Sequence, residues 1–227
     1  MTAAQYFQQH SILPQFAESM GLTWDDKEIH IPIQDTDGTT IFHKHRNLLY
    51  DPQDPQSTKY RYDSGAHAAL FNLHAVKAKA YIVITEGEID CVRLFQEGVP
   101  SISSTAGAGK WEAAWSAMLE GKAIFVCYDS DKAGQSGVQK VLETLPEAKV
   151  VQLPPETKDI CDWFTAGHTK EEFIQLLKEA KTKEEWERAH FPEDFSLLST
   201  EQIVAMEFPA EDWILQRIIY HQGFCFI

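Results

Sequence analysis

The chain has 227 residues, 44% of them apolar, enough for one generous domain or two modest ones around a buried core. No stretch approaches the roughly 18 uninterrupted apolar residues of a membrane span, and Met1 to His10 lack the charged start and apolar middle of a secretory signal, so the expected location is the cytoplasm. The net charge of -14 excludes a broad basic face that coats nucleic acid, yet residues 38–79 hold six basic side chains (Lys44, Arg46, Lys59, Arg61, Lys77, Lys79) against three acidic, which leaves room for a local electropositive groove.

Apolar positions from Tyr6 to Met20 fit one amphipathic helix, which Gly21 stops. Ile29, Ile31 and Ile33 alternate with His30 and Pro32, Asp35 to Gly38 supplies a turn, and Thr40 to Phe42 returns, predicting a hairpin whose Pro32 marks an edge strand. The polar stretch from Asp51 to Ser64 reads as a long loop. His43 and His45 straddle Lys44, and a solvated loop is preferred there over phosphate contact.

The pattern then changes. Ala80 to Thr85 is a continuous apolar, β-branched run; Ile89 to Glu97 is helical and ends at Gly98; Val99 to Ser103 is a second strand-like run. A helix over Trp111 to Glu120, a run over Ala123 to Tyr128, a helix over Ala133 to Leu145 and a last run over Lys149 to Leu153 follow. Strand and helix alternate, which predicts a parallel sheet with helical crossovers. Thr169 to Glu179 is a capped helix, Lys181 to Arg188 a solvated helix or linker face, and residues 190–208 a linker before a new pattern begins at Trp213. The fold class is α/β. The four cysteines (Cys91, Cys127, Cys161, Cys225) are far apart with no zinc-gripping pair and read as buried thiols.

Two acidic clusters stand at the carboxyl ends of expected parallel strands, where ligands bind in open α/β sheets. One is Glu86-Gly87-Glu88-Ile89-Asp90 and the other Asp129-Ser130-Asp131-Lys132-Ala133-Gly134. Ionised Glu86, Asp129 and Asp131 crowded together need a compensating cation, and magnesium suits carboxylate oxygens supplemented by water and phosphate. Strand-end aspartates also commonly just cap the next helix, so either cluster alone is weak evidence. Both in this order favour a site. Ser104 to Trp111 is no phosphate-binding P-loop, because Ser104 stands where glycine is required and Trp111 where a hydroxyl is. It reads as a flexible turn above the acids, with Lys110 available to a phosphate.

EGEID followed by DSDKAG resembles the TOPRIM motif pair of bacterial-type primases, topoisomerases and certain nucleases. The order continues through Leu153-Pro154-Pro155 and Lys158-Asp159-Ile160-Cys161-Asp162-Trp163-Phe164, and upstream through IPIQDTDGTTIFHKHRNL and TKYRYDSG, which is similar to the primase branch over roughly residues 5–180. The resemblance implies four segments. Residues 1–78 would form an α+β amino-terminal subdomain of a primase core, 79–168 a Rossmann-like TOPRIM domain with a central parallel sheet, and 169–207 a helical extension and linker. Residues 208–227 would begin a RecA-like helicase domain cut short by the chain end.

The activity implied is a primase that joins ribonucleotides into short primers on single-stranded DNA, from a primase–helicase of a mobile element. Glu86, Asp129 and Asp131 would be the catalytic carboxylates, and with Asp90, Asp159 and Asp162 they would hold Mg2+, or Mn2+ in its place. Arg46, Lys59 and Lys110 would contact nucleotide or template phosphates. Partners would be single-stranded DNA, nucleoside triphosphates and a replicative helicase domain in cis or in trans. A TOPRIM nuclease, or a non-catalytic module that binds nucleic acid and loads a helicase, are the alternatives. Bacterial replicative primases usually begin with a zinc module, and nothing in this sequence is expected to form one.

Overall fold

In the computed structural model, which describes residues 1–190, Thr2 and Gln5 form a reciprocal cap on the first helix, α1 (Ala3–Gln9). The single helix expected to run to Met20 is instead broken. Pro14 has no N–H to continue the ladder, the chain turns through Ser11 at φ +53°, and a second helix, α2 (Pro14–Ser19), starts with Pro14 in its first turn. Gly21, at φ +85°, turns the chain away as expected.

Four antiparallel strands follow in the order β1 (Thr23–Trp24), β2 (Glu28–Gln34), β3 (Thr40–Asn47), β4 (Tyr60–Tyr62). The β2–β3 pair is the expected hairpin, closed by Asp35, whose carboxylate accepts the N–H groups of Asp37 and Thr39. Pro32 is tolerated although β2 is internal, because β1 pairs only with Ile29 and His30 and leaves Pro32 with one strand neighbour. Two expectations fail here. His43 and His45 lie within β3 rather than in a solvated loop, since β3 continues to Asn47; and the long loop from Asp51 to Ser64 contains β4, where Tyr60, Arg61 and Tyr62 pair with Arg46, His45 and Lys44.

Period-2 alternation divides this sheet into two chemistries. Ile29, Ile31, Ile33 and Phe42 enter the core, and Lys44, Arg46, Tyr60 and Tyr62 share their face; Glu28, His30, His43, His45 and Arg61 take the other.

The second sheet has the order β5 (Leu70–Phe71), β7 (Ser101–Ser104), β6 (Tyr81–Thr85), β8 (Ala123–Cys127), β9 (Lys149–Val150). Strands β6 to β9 are parallel and β5 lines the edge antiparallel to β7. Helices α3 (Leu73–Val76), α4 (Glu88–Gln96), α5 (Ala113–Met118) and α6 (Lys132–Thr144) lie between the strands. Ile82, Val83 and Ile84 are fully buried, as a sheet covered on both faces requires. Beyond β9 come α7 (Ile160–Thr165), α8 (Lys170–Lys178), with the expected Thr169–Glu172 capping box, and α9 (Lys183–His190). The charged α9 is not wholly solvated, because Trp186 is buried. Residues 1–189 form one unit. The remainder of the expected linker, the expected helicase start at 208–227 and Cys225 lie outside the described residues. Among the described residues no helix is long and apolar enough to cross a membrane.

Candidate active site

Strands β6 and β8 are neighbours, and Thr85 stands opposite Cys127 at their carboxyl ends. The chain positions that follow, Glu86 and Asp129, are therefore delivered to one edge of the sheet although they are 43 residues apart. Helix α6 starts against them. A Cβ at Gly134 would fall 2.1 Å from the Asp129 carbonyl oxygen and 3.0 Å from Glu86 Oε2, so only glycine permits this approach. Glu86 Oε2 is buried with no hydrogen-bond partner. Burial first, then the charges of Asp129 and Asp131, push the Glu86 carboxyl up to about 7. Burial likewise raises the Asp129 carboxyl, opposed by Lys158, whose Nζ lies 3.3 Å from Asp129 Oδ2.

Asp131 is exposed, and its Oδ1 accepts the Gly134 N–H at 2.9 Å. The helix-capping reading of DSD thus holds for one carboxylate oxygen, and the other stays available. A second group lies close by: single ligand atoms of Asp90, Asp159 and Cys161 fall within 4.8 Å of one another. Asp90 is pushed up to about 8 by burial and then by Asp159 and Asp129, and its Oδ1 accepts the Cys161 N–H at 3.2 Å. Asp159 caps α7 by accepting the Asp162 N–H at 2.8 Å, while the Asp162 carboxylate sits exposed in that helix's first turn.

Cations approach from the inner face of the first sheet. The Arg46 guanidinium lies 5.4 Å from the Tyr6 ring centre, 5.9 Å from Tyr50 and 5.3 Å from Tyr60, and its Nε is buried without a partner. Burial, followed by the charges of Arg46 and Lys158, depresses the Lys59 ammonium, which also feels Asp129 and Asp90. Three cations held together against their own repulsion make an anion-seeking group. Lys110 is not brought to them: its ammonium pairs with Glu112 at 2.7 Å, and its loop is fastened by Lys140, which donates to the Gly109 carbonyl at 3.0 Å.

Sequence reasoning gave Lys158 no role, and its nearness to Asp129 depends on where the 153–159 turn folds back. It also missed a buried pair. Lys44 Nζ donates to both Glu88 oxygens at 2.8 Å and to the Thr105 carbonyl at 2.9 Å, tying the first sheet to the helix that begins beside Glu86.

An orphaned buried carboxylate oxygen, beside two further carboxylates that raise one another's proton affinity, fits a hard divalent cation such as magnesium.

Residues 83–164, which carry the acids at the ends of β6 and β8, match the Toprim-like family model. The fold of the described residues is similar to that of solved DNA primase catalytic cores. The RNA polymerase domain of Mycobacterium tuberculosis primase superposes with a TM-score of 0.69 at 14% identity, over 95% of this chain and 90% of that one. The primase fragment of the bacteriophage T7 primase–helicase gives 0.59 at 24% identity, over 72% of this chain and 70% of that one. In sequence, the DNA primase of Aquifex aeolicus is 24% identical over 160 residues, 66% of this chain and 32% of that protein. The chain thus spans about a third of the length of that curated relative.

Proposed function

We propose that the chain is the catalytic core of a DNA primase, which joins ribonucleotides into short primers on single-stranded DNA by magnesium-dependent nucleotidyl transfer, in the cytoplasm and within a primase–helicase. The observation that carries this reading is the meeting of two groups: Glu86 with its orphaned oxygen, Asp129 and Asp131 on one side, and Arg46, Lys59 and Lys158 on the other. Glu86, Asp129 and Asp131 hold Mg2+ or Mn2+, with Asp90, Asp159 and Asp162 as supporting acids. Bound metal supplies charge neutralisation and Lewis-acid polarisation of the triphosphate. Arg46 and Lys59 bind phosphate oxygens. Lys158 holds Asp129 in place until the metal and nucleotide arrive. Asp90 orients α7 by accepting the Cys161 N–H.

Extension of a primed or unprimed single-stranded template, with labelled ribonucleotides and magnesium, tests the reading. Glu86→Gln and Asp129→Asn are expected to abolish synthesis while circular dichroism stays that of the folded chain. Synthesis at the wild-type level by either variant would sink the assignment, and cleavage of the DNA without nucleotides would identify a nuclease instead.

A further inference from the structure

On the sheet face turned away from these acids, β2 and β3 bring two histidines together. His30 and His45 are opposite each other in register, and their Nδ1 atoms lie 2.7 Å apart. The far nitrogen of each ring points at a carboxylate: His45 Nε2 lies 2.9 Å from Asp63 Oδ1, and His30 Nε2 lies 3.7 Å from Asp25 Oδ2. An ionised carboxylate only accepts, so Asp63 places the His45 proton on Nε2 and leaves the His45 Nδ1 lone pair to accept the Nδ1 proton of His30 across the 2.7 Å. When His30 gives up that proton, both Nδ1 lone pairs turn toward one point, where a metal ion can take the proton's place.

A third donor stands beside them. A Glu28 oxygen is 3.8 Å from His45 Nδ1, and single ligand atoms of Glu28, His30 and His45 all fall within 4.8 Å of one another. Arg61 clamps Glu28 through both carboxylate oxygens, which fixes the donor while leaving a lone pair on each oxygen. His43 completes the surroundings with Nδ1 3.2 Å from Asp63 Oδ2.

We propose that Glu28, His30 and His45 form a binding site for a divalent transition ion of the zinc type. The donor set of two imidazoles and one carboxylate selects such an ion over magnesium, which prefers oxygen donors alone. The Asp63 carboxylate on the outer nitrogen of His45 is the arrangement that orients a metal-binding histidine and raises its basicity. The site sits on rigid, paired strands, on the opposite face of β3 from Lys44 and Arg46. It gives the chain a metal centre chemically separate from the acid cluster, one that clasps β2 to β3.

The experiment is zinc titration of the full chain, stripped with chelator and held in excess magnesium so that the acid cluster is saturated, monitored by competition with a chromophoric chelator. One equivalent is expected to bind, and His30→Gln and Glu28→Gln are expected to lose it. Asp63→Asn should weaken binding by about 10–100-fold. His67→Gln, at an exposed histidine outside the cluster, is the control that should retain binding. X-ray absorption at the zinc edge of the wild-type chain needs no variant and should show two imidazole ligands. Absence of stoichiometric binding, binding that survives His30→Gln, or an absorption spectrum without imidazole scattering would each overturn the proposal. So would nitrogen NMR showing a proton shared between the two Nδ1 atoms in the presence of equimolar zinc.

Discussion

Glu88→Gln tests the junction between the two sheets. The Lys44 side chain is 6% exposed and the Glu88 side chain 1%, and the ammonium makes all three of its hydrogen bonds to Glu88 and the Thr105 carbonyl. Removing the anion leaves a buried, uncompensated ammonium, which costs about 3–5 kcal/mol. At about 2–4 °C per kcal/mol for a unit of this size, the melting temperature should fall by about 6–20 °C. Replacing both partners by apolar side chains, as in Lys44→Met with Glu88→Leu, removes the orphaned charge. The Thr105 carbonyl keeps a donor in that double variant, because the Tyr62 hydroxyl bonds it at 2.7 Å. The double variant should therefore recover most of the loss. Urea unfolding followed by near-ultraviolet circular dichroism measures all three chains, and adding the single variants Lys44→Met and Glu88→Leu completes a mutant cycle. A Glu88→Gln chain within about 1 kcal/mol of wild type would refute the reasoning, since such a result means that water reaches the ammonium.

Three further outcomes are expected. Gly134→Ala should abolish magnesium-dependent synthesis, because its Cβ would meet the Asp129 carbonyl oxygen at 2.1 Å and push α6 off the acids; unchanged synthesis with an unchanged melting temperature counts against that packing. Glu86 and Asp90 have carboxyls raised to about 7 and about 8, so the folded chain keeps protons that the unfolded chain releases. The stability of the metal-free chain should accordingly fall as pH rises from about 4 to about 8, the loss should shrink in Glu86→Gln, and magnesium should stabilise more at pH 8 than at pH 5. A pH slope that is the same in Glu86→Gln as in the wild type would contradict the burial of Glu86. Arg46→Ala should weaken template or nucleotide binding and lower its salt dependence, read from affinities at several salt concentrations; an unchanged slope would remove Arg46 from phosphate contact.

The second sheet was legible because its strands are buried on both faces and read as apolar runs, and because the acids follow those runs directly. Register did the rest: once β6 pairs with β8, Glu86 and Asp129 must share an edge. The first sheet was read less well. Its alternation was seen in Ile29, Ile31 and Ile33 but not carried into β3, where His43, Lys44, His45 and Arg46 look uniformly polar. Polarity there hides a period of two, with Lys44 and Arg46 facing inward and the histidines outward. Short β4 was lost for a related reason. Three residues carry too little pattern to announce a strand inside a polar stretch, and only pairing with β3 defines it. Contacts of Lys158 with Asp129, or of Lys44 with Glu88, depend on long-range folding that no local spacing encodes.

Net charge misleads about this site for a definable reason. A total of -14 describes the chain as a whole, but charges separated by more than a Debye length, about 10 Å at 0.1 M salt, are largely screened from one another. On the proposed function, what an incoming phosphate would meet is the local set: Arg46 above its tyrosines, Lys59 with its ammonium partly desolvated, and Lys158 beside Asp129. Of these, Lys158 is held by Asp129, so its charge is largely spent there until a metal takes that carboxylate. Metal binding at Glu86 and Asp129 would release Lys158 from its partner and strengthen the attraction for phosphate. Metal and nucleotide should therefore bind cooperatively, and Lys158→Met should reduce that coupling while leaving metal affinity in the absence of nucleotide equal to or higher than wild type. Calorimetry of magnesium binding with and without a non-hydrolysable nucleotide measures the coupling directly. Equal coupling in the variant would mean that Lys158 serves Asp129 alone and not the phosphate.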